Sequence, residues 1–573
     1  MTATLVPSAA LSFATESLVV QVNGAELSDE LARRLLSVVV EDSVTLPGSF
    51  TLVFRDPFHD VPETGLLAFG ASVSISLPDG RALVKRAEIT SRECEVDSAG
   101  TVTVVRGFDL AHRLHRGRRT EVYCQVRHSD VARQVAQRAG LQVDRVDTPS
   151  TSIRPQVVQW NASDWEFLNE LADEIAFEVT VADGKLSFTE RAAAAGRRGP
   201  EISLEGVTRL RCVVSGAEQV KDVEVRGWSA EQKKEVVGTA PVAARGSALA
   251  DTPAGAATRL NGQTLTSVDK LYDQPRDATA AAQALAHQVG ESFGTFEGLA
   301  RGNPALRAGA VVSLALAGSG FDGTYTLTAT RHVFDDDGYT TWFASGGAGD
   351  ESLLGMASGS ARGAVEGVVP AVVTNVRDPS KLGRVKVSFP WLSSSNETHW
   401  ARVAQPWVGP DYGAVFLPEV NDEVLIAFEQ GDFARPYVVG GLYNGRDKPK
   451  TGAVPLVDDA SGTINVRRME TRKHHAVEIV DKFGSEGVFV KTGDGKHALE
   501  LDVANTKISV SSQGKVTITG TGGVEITSPT GNVDIKGGQV SIQGNAVTLD
   551  ARGPLNLKAG ASAVLQGAIV KIN

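Results

Sequence analysis

The chain has 573 residues, a formal net charge of −11, 59 glycines and only 6 % aromatic residues. At about 150 residues per domain, this length predicts three or four domains. No apolar run approaches the roughly 20 residues that span a bilayer, and no basic residue precedes Arg33. We therefore expect a cytoplasmic protein without a membrane span or a secretory leader.

The charge and the cysteines exclude further classes of protein. The acidic balance argues against a general nucleic-acid surface. Cys94, Cys124 and Cys212 are odd in number and far apart, which excludes a disulfide framework and a zinc ribbon. We expect all three to be buried thiols that pack as small apolar side chains.

Residues 1–350 are predicted to form β-barrel domains with peripheral helices. Phe50, Leu52 and Phe54 alternate with Thr51 and Val53, which is typical of a strand with one buried face. Many short runs of this kind are bounded by Gly, Pro and Asn. The block therefore indicates a mainly β hub with a minor α content.

Three helices are predicted within this block. Ser129 is placed as the N-cap of the first helix, and Ser163 with Glu166 matches a capping box at the start of the second. In the second helix, one face is expected to carry Trp165, Leu168, Leu171, Ala172 and Ile175. A third helix is expected from Asp277 to about Val289.

Residues 365–447 are predicted to form a small barrel of the OB type. Its five expected strands lie in the runs GRVKVSFPW, WARVAQPW, AVFLPEV, DEVLIAFEQGD and RPYVVGGLYNG. The Gly- and Ser-rich stretch 345–364 and the stretch 445–463 are predicted linkers on either side of it.

Residues 465–573 are predicted to form a β-helix with an octad repeat. Apolar residues recur in pairs two positions apart, and the second members of successive pairs are separated by 8, 9, 7, 7, 8, 8 and 7 residues up to Ile572. The regular pairs are Val516 and Ile518, Val524 and Ile526, Val533 and Ile535, Val540 and Ile542, Val547 and Leu549, and Leu555 and Leu557.

A strand directs alternate side chains to opposite faces, so both members of each pair point the same way. One such ribbon has a narrow apolar face and two open edges, and it is not stable alone. Three copies wound around one axis would bury the apolar face, and we therefore predict a homotrimer with the paired residues at its core. The seven steps from Ile518 to Ile572 would rise roughly 34 Å. A single-chain solenoid or a flexible tail is the alternative.

Eight segments of the chain are similar to the VgrG and phage hub-spike family of contractile injection machines. They are GFDLAHRLHRG (107–117), WNASDWEFLNELA (160–172), ARGNPALRAGAVVSL (300–314), FDGTYTLTATRHVFDDDGYTTWF (321–343), DPSKLGRVKVSFPW (378–391), WARVAQPW (400–407), FLPEVNDEVLIAFEQGD (416–432) and PYVVGGLYNG (436–445). Within the family, the segments resemble the extracellular, phage-tail-like type more than the type VI secretion proteins.

The resemblance implies a homotrimer whose hub docks on the inner tube and baseplate proteins and whose triple-stranded β-helix pierces the target membrane on firing. It also implies a separate PAAR-like tip protein, which would dock on Val570, Lys571, Ile572 and Asn573. No lysozyme domain separates barrel and helix, no toxin domain is expected after it, and the last histidine is His497, so an intrinsic metal tip is not expected.

Four clusters were considered as catalytic or metal sites, and each has a simpler interpretation. His474 and His475 are expected on a solvated surface, and His112 and His115 on a half-exposed helix. Glu419, Asp422 and Glu423, and likewise Asp335, Asp336 and Asp337, are expected in turns. We therefore predict no catalytic residue, metal or cofactor. The alternatives are a phage or type VI spike that carries effector cargo, and a β-helical enzyme that degrades polysaccharide.

Overall fold

The computed structural model describes residues 18–98, 100–148, 153–268, 270, 272–316, 320–346, 365, 367–390, 397–450 and 452–572. The chain forms two compact units, Met1–Lys448 and Pro449–Asn573, which divide within the stretch 445–463. Most of the predicted linker 345–364, and Trp391 of the barrel motif, lie outside the described residues.

The first unit is mainly β. Its strands are β1 (Val19–Val22), β2 (Ala25–Glu26), β3 (Leu35–Ser43), β4 (Ser49–Arg55), β5 (Ser72–Ser76), β6 (Ala82–Asp97), β7 (Gly100–Asp109), β8 (Arg119–Val126), β9 (Gln142–Val146), β10 (Arg154–Ala162), β11 (Phe177–Ala182), β12 (Lys185–Glu190), β13 (Glu201–Ser203), β14 (Val207–Val214), β15 (Asp222–Ser229), β16 (Lys234–Pro241), β17 (Ser247–Leu249), β18 (Leu265–Ser267), β19 (Gly294–Arg301), β20 (Val311–Ala315), β21 (Gly323–Thr326), β22 (Ala329–Asp335), β23 (Gly338–Ser345), β24 (Val368–Asn375), β25 (Lys386–Ser388), β26 (Arg402–Val403), β27 (Val408–Gly409), β28 (Tyr412–Gly413), β29 (Glu423–Phe428) and β30 (Pro436–Gly441).

Helices are a minor part of this unit. They are α1 (Asp29–Arg33), α2 (His112–His115), α3 (His128–Arg138), α4 (Asp164–Asp173), α5 (Pro253–Arg259) and α6 (Pro275–Glu291). In the described part of the chain, no helix is both long and apolar enough to cross a lipid bilayer. The predicted mainly β architecture with minor α is confirmed.

An eleven-stranded sheet organises the first unit, in the order β14-β19-β23-β22-β3-β4-β7-β6-β5-β1-β2. Strand β4 lies between β3 and β7 and buries Phe50, Leu52 and Phe54 on one face, as predicted. These three side chains pack with residues of β1, β3, β5 and β22 in one core. The alternation in the sequence thus reflects a strand whose other face is only partly covered.

A second core lies under α2, α3 and α4, which pack on β11 and β12. The capping box at α4 is confirmed: Glu166 N–H donates to Ser163 Oγ at 3.2 Å, and Ser163 N–H donates to the Glu166 carboxylate at 2.9 Å. The predicted apolar face, from Trp165 to Ile175, is buried in this core. The local sequence alone therefore determines where α4 begins and which face it buries.

The predicted start of α3 is wrong by two residues. The helix begins at His128 with Arg127 as its N-cap, because Val131 N–H donates to Arg127 O at 3.2 Å. The Asp130 carboxylate accepts the Arg127 N–H at 3.0 Å. This acidic group stabilises the first turn, and Ser129 lies buried inside it.

Replacing Ser163 tests the capping box. Ser163→Ala removes the acceptor for Glu166 N–H and is expected to lower the free energy of unfolding of the first unit by about 1 kcal/mol. Tryptophan fluorescence in urea measures this, since Trp165 lies in the first turn of α4. Ser163→Thr keeps the hydroxyl and should match the unmodified chain. Equal midpoints for the alanine variant and the unmodified chain would contradict the assignment.

The third predicted helix, α6, packs on β15 and β16. It starts two residues before Asp277, with Pro275 in its first turn. Gly238 of β16 allows this contact, because a Cβ there would lie 2.2 Å from the carbonyl carbon of Ala278. Helix and strand therefore approach as closely as backbone atoms permit.

The barrel is a five-stranded sheet in the order β25-β24-β29-β30-β26. The run AVFLPEV, predicted as a strand, is instead a loop with Val415 and Phe416 exposed. Strand β24, which lies outside the five predicted runs, is an internal strand of the sheet and pairs with β25 and β29. The barrel core also contacts β10, since the rings of Trp160 and Phe433 stack with centroids 4.6 Å apart.

The prediction for the cysteines is wrong. Cys94 and Cys124 are exposed, and Cys212 is only half-buried. All three lie on strands, β6, β8 and β14, and Cys212 packs as a partly buried side chain against the core that contains Phe296 and Phe343.

The second unit begins with an antiparallel meander, which the sequence analysis did not predict. Its strands follow one another in chain order and are β31 (Val466–Glu470), β32 (Ala476–Val480), β33 (Gly487–Lys491), β34 (His497–Asp502) and β35 (Lys507–Ser512). The predicted octad β-helix over 465–573 therefore applies only to the residues after β35. Within the described residues 513–572, no helix or strand is assigned to the single chain.

Candidate functional site

The octad pairs expose their apolar side chains in the single chain. All twelve residues of the regular pairs are between 51 % and 74 % exposed, and in each pair the first member is less exposed than the second. These residues are Val516, Ile518, Val524, Ile526, Val533, Ile535, Val540, Ile542, Val547, Leu549, Leu555 and Leu557. Contiguous apolar surface of this kind marks an interaction site. Their place in a trimer core stays a prediction.

The meander carries a second apolar face, which continues this pattern upstream. The strand register places two rows of side chains across one face of the sheet. One row is Met469, Val477, Val490, Leu499 and Val510, and the other is Ile479, Val488, Leu501 and Ile508. Every one of these residues except Val488 is exposed. An apolar sheet face needs a cover, and none of the described residues covers this one.

The signal for the meander is present in the sequence. Its apolar pairs are Val477 with Ile479, Val488 with Val490, Leu499 with Leu501 and Ile508 with Val510. They have the same two-residue spacing as the octads but recur after 11, 11 and 9 residues. The two steps of 11 residues leave room for the turns of an antiparallel sheet, and they exceed the seven to nine residues that separate the octad pairs.

The opposite face of the meander is polar and held by ion pairs. Arg468 contacts Glu478 at 2.5 Å, and Lys491 contacts Glu500 at 3.6 Å. The Lys450 ammonium, 2.6 Å from Glu470, holds the pKa of that carboxyl below its usual range. In the single chain, the apolar face of the sheet is therefore more exposed than the ion-paired Arg468, Glu470 and Glu478 of its polar face.

The predicted tip residues are also exposed. Val570, Lys571 and Ile572 have no cover in the described part of the chain, and Asn573 lies outside the described residues. Their docking to a cap protein stays a prediction.

The histidines considered as ligands have separate environments. His112 is buried with Nδ1 2.6 Å from Asp109 O, whereas the His115 ring stacks on Trp165 with centroids 5.0 Å apart. Burial lowers the pKa of His115 to about 4. His474 and His475 are exposed, as predicted. The two helical histidines therefore contribute to packing, and the other two lie on the surface.

The acidic clusters lie at turns, as predicted, except that Asp335 is the last residue of β22 and Glu423 the first residue of β29. Asp335, Asp336 and Asp337 bring carboxylate oxygens within 4.8 Å of one another in the turn between β22 and β23. Glu419 N–H donates to the Asp422 carboxylate at 2.7 Å, which closes the turn before β29. Asn444 donates to the Glu423 carboxylate at 2.6 Å.

A buried charge cluster lines an open cleft of about 1870 Å³ in the first unit, and nothing in the sequence indicated it. Glu174 lies 2.5 Å from Arg154 and 3.2 Å from Lys270. Burial alone would raise the pKa of Glu174, but the charges of Lys270 and Arg154 outweigh burial and lower the pKa to about 2. Asp277, 3.8 Å from Arg154, adds a second buried carboxylate. The cluster links β10, α4 and α6.

The chain matches two family models in separate ranges. Residues 14–336 match the Alg8 N-terminal domain, and residues 369–443 match the type VI secretion system/phage-baseplate injector OB domain. The first range includes every strand of the eleven-stranded sheet except β23, and the second includes nearly all of the barrel sheet.

Curated relatives match a shorter part. The type VI secretion system spike protein VgrG3 of Vibrio cholerae is 37 % identical over 116 residues, which are 19 % of this chain and 11 % of that protein. The spike protein VgrG1c of Pseudomonas aeruginosa is 31 % identical over 120 residues, which are 19 % of this chain and 16 % of that protein. The chain thus matches less than a fifth of the length of each relative.

Among solved structures, a Francisella PdpA-VgrG complex aligns at 9 % identity with a TM-score of 0.49, over 86 % of this chain and 88 % of that one.

Proposed function

This chain belongs to the Alg8 N-terminal domain family and to the hub-spike family of VgrG and phage baseplate proteins, and from this we propose that it is the trimeric hub and spike of a contractile injection system. The observation that carries the proposal is the uncovered apolar surface of the second unit. The meander rows and the octad pairs form one series along the chain, from Met469 to Ile572.

Three copies can cover this surface where one cannot. Each octad side chain that leaves water on trimerisation contributes about 1.5–3 kcal/mol, and the pairing of open strand edges removes exposed backbone donors. The meander rows would be enclosed in the same way at the wider base of the spike. The product is a stiff, narrow body, which concentrates an axial force on a small area of envelope.

The remaining partners follow from this role. We propose that the first unit docks on the inner tube and on baseplate proteins, and that Val570, Lys571, Ile572 and Asn573 receive a PAAR-like tip protein. Effector cargo could travel on the same assembly. The protein would be assembled in the cytoplasm into a particle of the extracellular, phage-tail-like type, an assignment that rests on the segment RHVFDDDGYTTWF.

The proposal is tested by the mass of the purified chain. Light scattering should give three times the 60.3 kDa of one chain. A chain truncated after Lys448 lacks the second unit and is the matched comparison, expected to lose most of the association. A full-length chain that stays monomeric at micromolar concentration would overturn the proposal.

We also propose that the protein acts mechanically, without catalysis. The supporting observation is that two carboxylates of the acidic cluster are bound locally: Asp422 accepts from the Glu419 N–H, and Glu423 accepts from the Asn444 amide. We expect no release of soluble fragments from peptidoglycan or polysaccharide, as followed by reducing-end assays. Turnover that is abolished by Glu423→Gln would contradict this expectation.

A further inference from the structure

The two ends of the meander carry opposite formal charge. At one end lie the turns 471–475 and 492–497 and the segment 513–515, which together hold four basic residues and one acidic residue. This end has a formal net charge of +3 per chain. The turns at the other end, 481–486 and 503–506, hold one basic and two acidic residues, a net charge of −1. We name the three basic segments the basic collar.

Hydrogen bonds join the three segments of the basic collar. Gly493 N–H donates to His475 Nδ1 at 3.3 Å, which links the two turns. Gln513 N–H donates to Lys496 O at 3.0 Å, which links the second turn to the outgoing chain. His497 Nδ1 lies 2.9 Å from Ser512 Oγ at the same place. The basic residues are therefore held together on one surface.

The side chains of this surface face water. Arg472, Lys473, Lys496 and Lys515 are all exposed. Within the collar the acidic residue is Asp494, whose carboxylate accepts from the Thr492 hydroxyl at 2.7 Å and from Lys496 N–H at 3.2 Å. The nearby Glu470 already pairs with Lys450 and His474. The Lys496 ammonium also lies 3.9 Å from the Asp494 carboxylate, so Arg472, Lys473 and Lys515 carry the net positive charge of the collar.

The basic collar lies where the meander passes into the octad repeat. Lys515 directly precedes Val516, the first residue of the repeat. The octads beyond it would rise roughly 34 Å, which is close to the hydrocarbon thickness of a bilayer, about 30 Å. When the octads have crossed the hydrocarbon core, the collar is therefore level with the phosphate layer.

We propose that the basic collar binds the anionic headgroups of the membrane that the spike has penetrated. The inference rests on the proposed trimeric spike, in which three copies would surround the axis with a formal charge of +9. Lys and Arg side chains near a membrane surface attract anionic lipids, and their contributions accumulate with each residue. The contact holds the widened base of the spike at the membrane surface after the octads have passed through.

Flotation of the full chain with lipid vesicles tests the proposal. The chain should float with vesicles of phosphatidylcholine that contain phosphatidylglycerol and stay behind with pure phosphatidylcholine. Replacing Arg472, Lys473 and Lys496 together by Gln should weaken the binding at least tenfold, on the order of what three surface charges contribute. Raising the salt concentration should release the unmodified chain.

The matched control removes the same charge from the octad region through Lys536→Gln, Arg552→Gln and Lys558→Gln. It should keep the binding, and equal losses in both triple variants would overturn the collar as the site. Equal flotation of the unmodified chain with both kinds of vesicle would also overturn it, whatever the variants do. Light scattering on each sample separates the two proposals, because a chain that is trimeric but does not bind vesicles contradicts only this one.

Discussion

Ile535→Asp is expected to abolish the stable trimer of the second unit. The side chain of Ile535 is exposed in the single chain and belongs to the apolar series that three copies would enclose. The substitution removes about 1.5–3 kcal/mol of apolar burial per chain and places three carboxylates on one axis, each at a cost of several kcal/mol. Light scattering should report single chains, and the thermal transition of the spike should disappear or fall by tens of degrees.

A charge at a position predicted to face outward is the matched control. Ser541→Asp introduces the same side chain next to Ile542 and should leave mass and transition nearly unchanged, because the carboxylate stays in water. If Ile535→Asp gave an equally heat-resistant trimer, the inward assignment of the pairs would be wrong. If both variants lost the trimer, the repeat would be sensitive to charge on either face. This result would contradict the prediction that alternate side chains point inward and outward.

The sequence predicts those features whose signal is local and periodic. The capping box of Ser163 and Glu166 and the alternation around Leu52 each depend on residues a few positions apart, and both are confirmed. The octad pairs are equally local as a pattern. Their burial in a trimer is a property of three chains, so the single chain leaves it as a prediction.

The run AVFLPEV shows where hydrophobic pattern fails. Val415, Phe416 and Leu417 are apolar and adjacent, yet the structure leaves them exposed in a loop, while β24 forms an internal strand of the barrel sheet between β25 and β29. An apolar run indicates burial somewhere, but it does not distinguish burial within the barrel from burial against another chain. A run of the same composition fits burial within the barrel and burial against another chain. Only the strand pairing, here of β24 with β29, shows which segment belongs to the barrel sheet.

The buried charge cluster could not be predicted, because its members are distant in the chain. Arg154, Glu174 and Lys270 come from β10, the end of α4 and the segment before α6. No spacing rule connects them. Arg, Glu and Lys side chains usually lie on the solvated surface, so none of the three residues alone indicates burial. Only the packing of the three elements places the Glu174 carboxylate 2.5 Å from Arg154 and 3.2 Å from Lys270.

A substitution in this buried charge cluster is expected to lower the stability of the first unit, and this is the second large expected effect. Glu174→Gln keeps the shape of the side chain but leaves Arg154 and Lys270 without their shared carboxylate, and the Asp277 carboxylate lies 3.8 Å from Arg154. Removing one partner of a buried ion pair costs about 3–5 kcal/mol, since the remaining charges stay desolvated. Urea unfolding of the full chain measures this cleanly, because all seven tryptophans lie before Lys448 and so report the first unit alone.

The control and the pH dependence make the test specific. Glu170 also contacts Lys270, at 3.6 Å, but its side chain is 45 % exposed, so Glu170→Gln should cost less than about 1 kcal/mol.

Because the pKa of Glu174 is lowered from 4.5 to about 2, its contribution is present in full above about pH 4.5 and is lost as the pH falls toward 2. The difference between the unmodified chain and Glu174→Gln should therefore shrink below pH 4.5. A difference that stays constant down to about pH 2 would mean that the carboxylate contributes through packing, and the charge cluster would then not be what links α4 to β10.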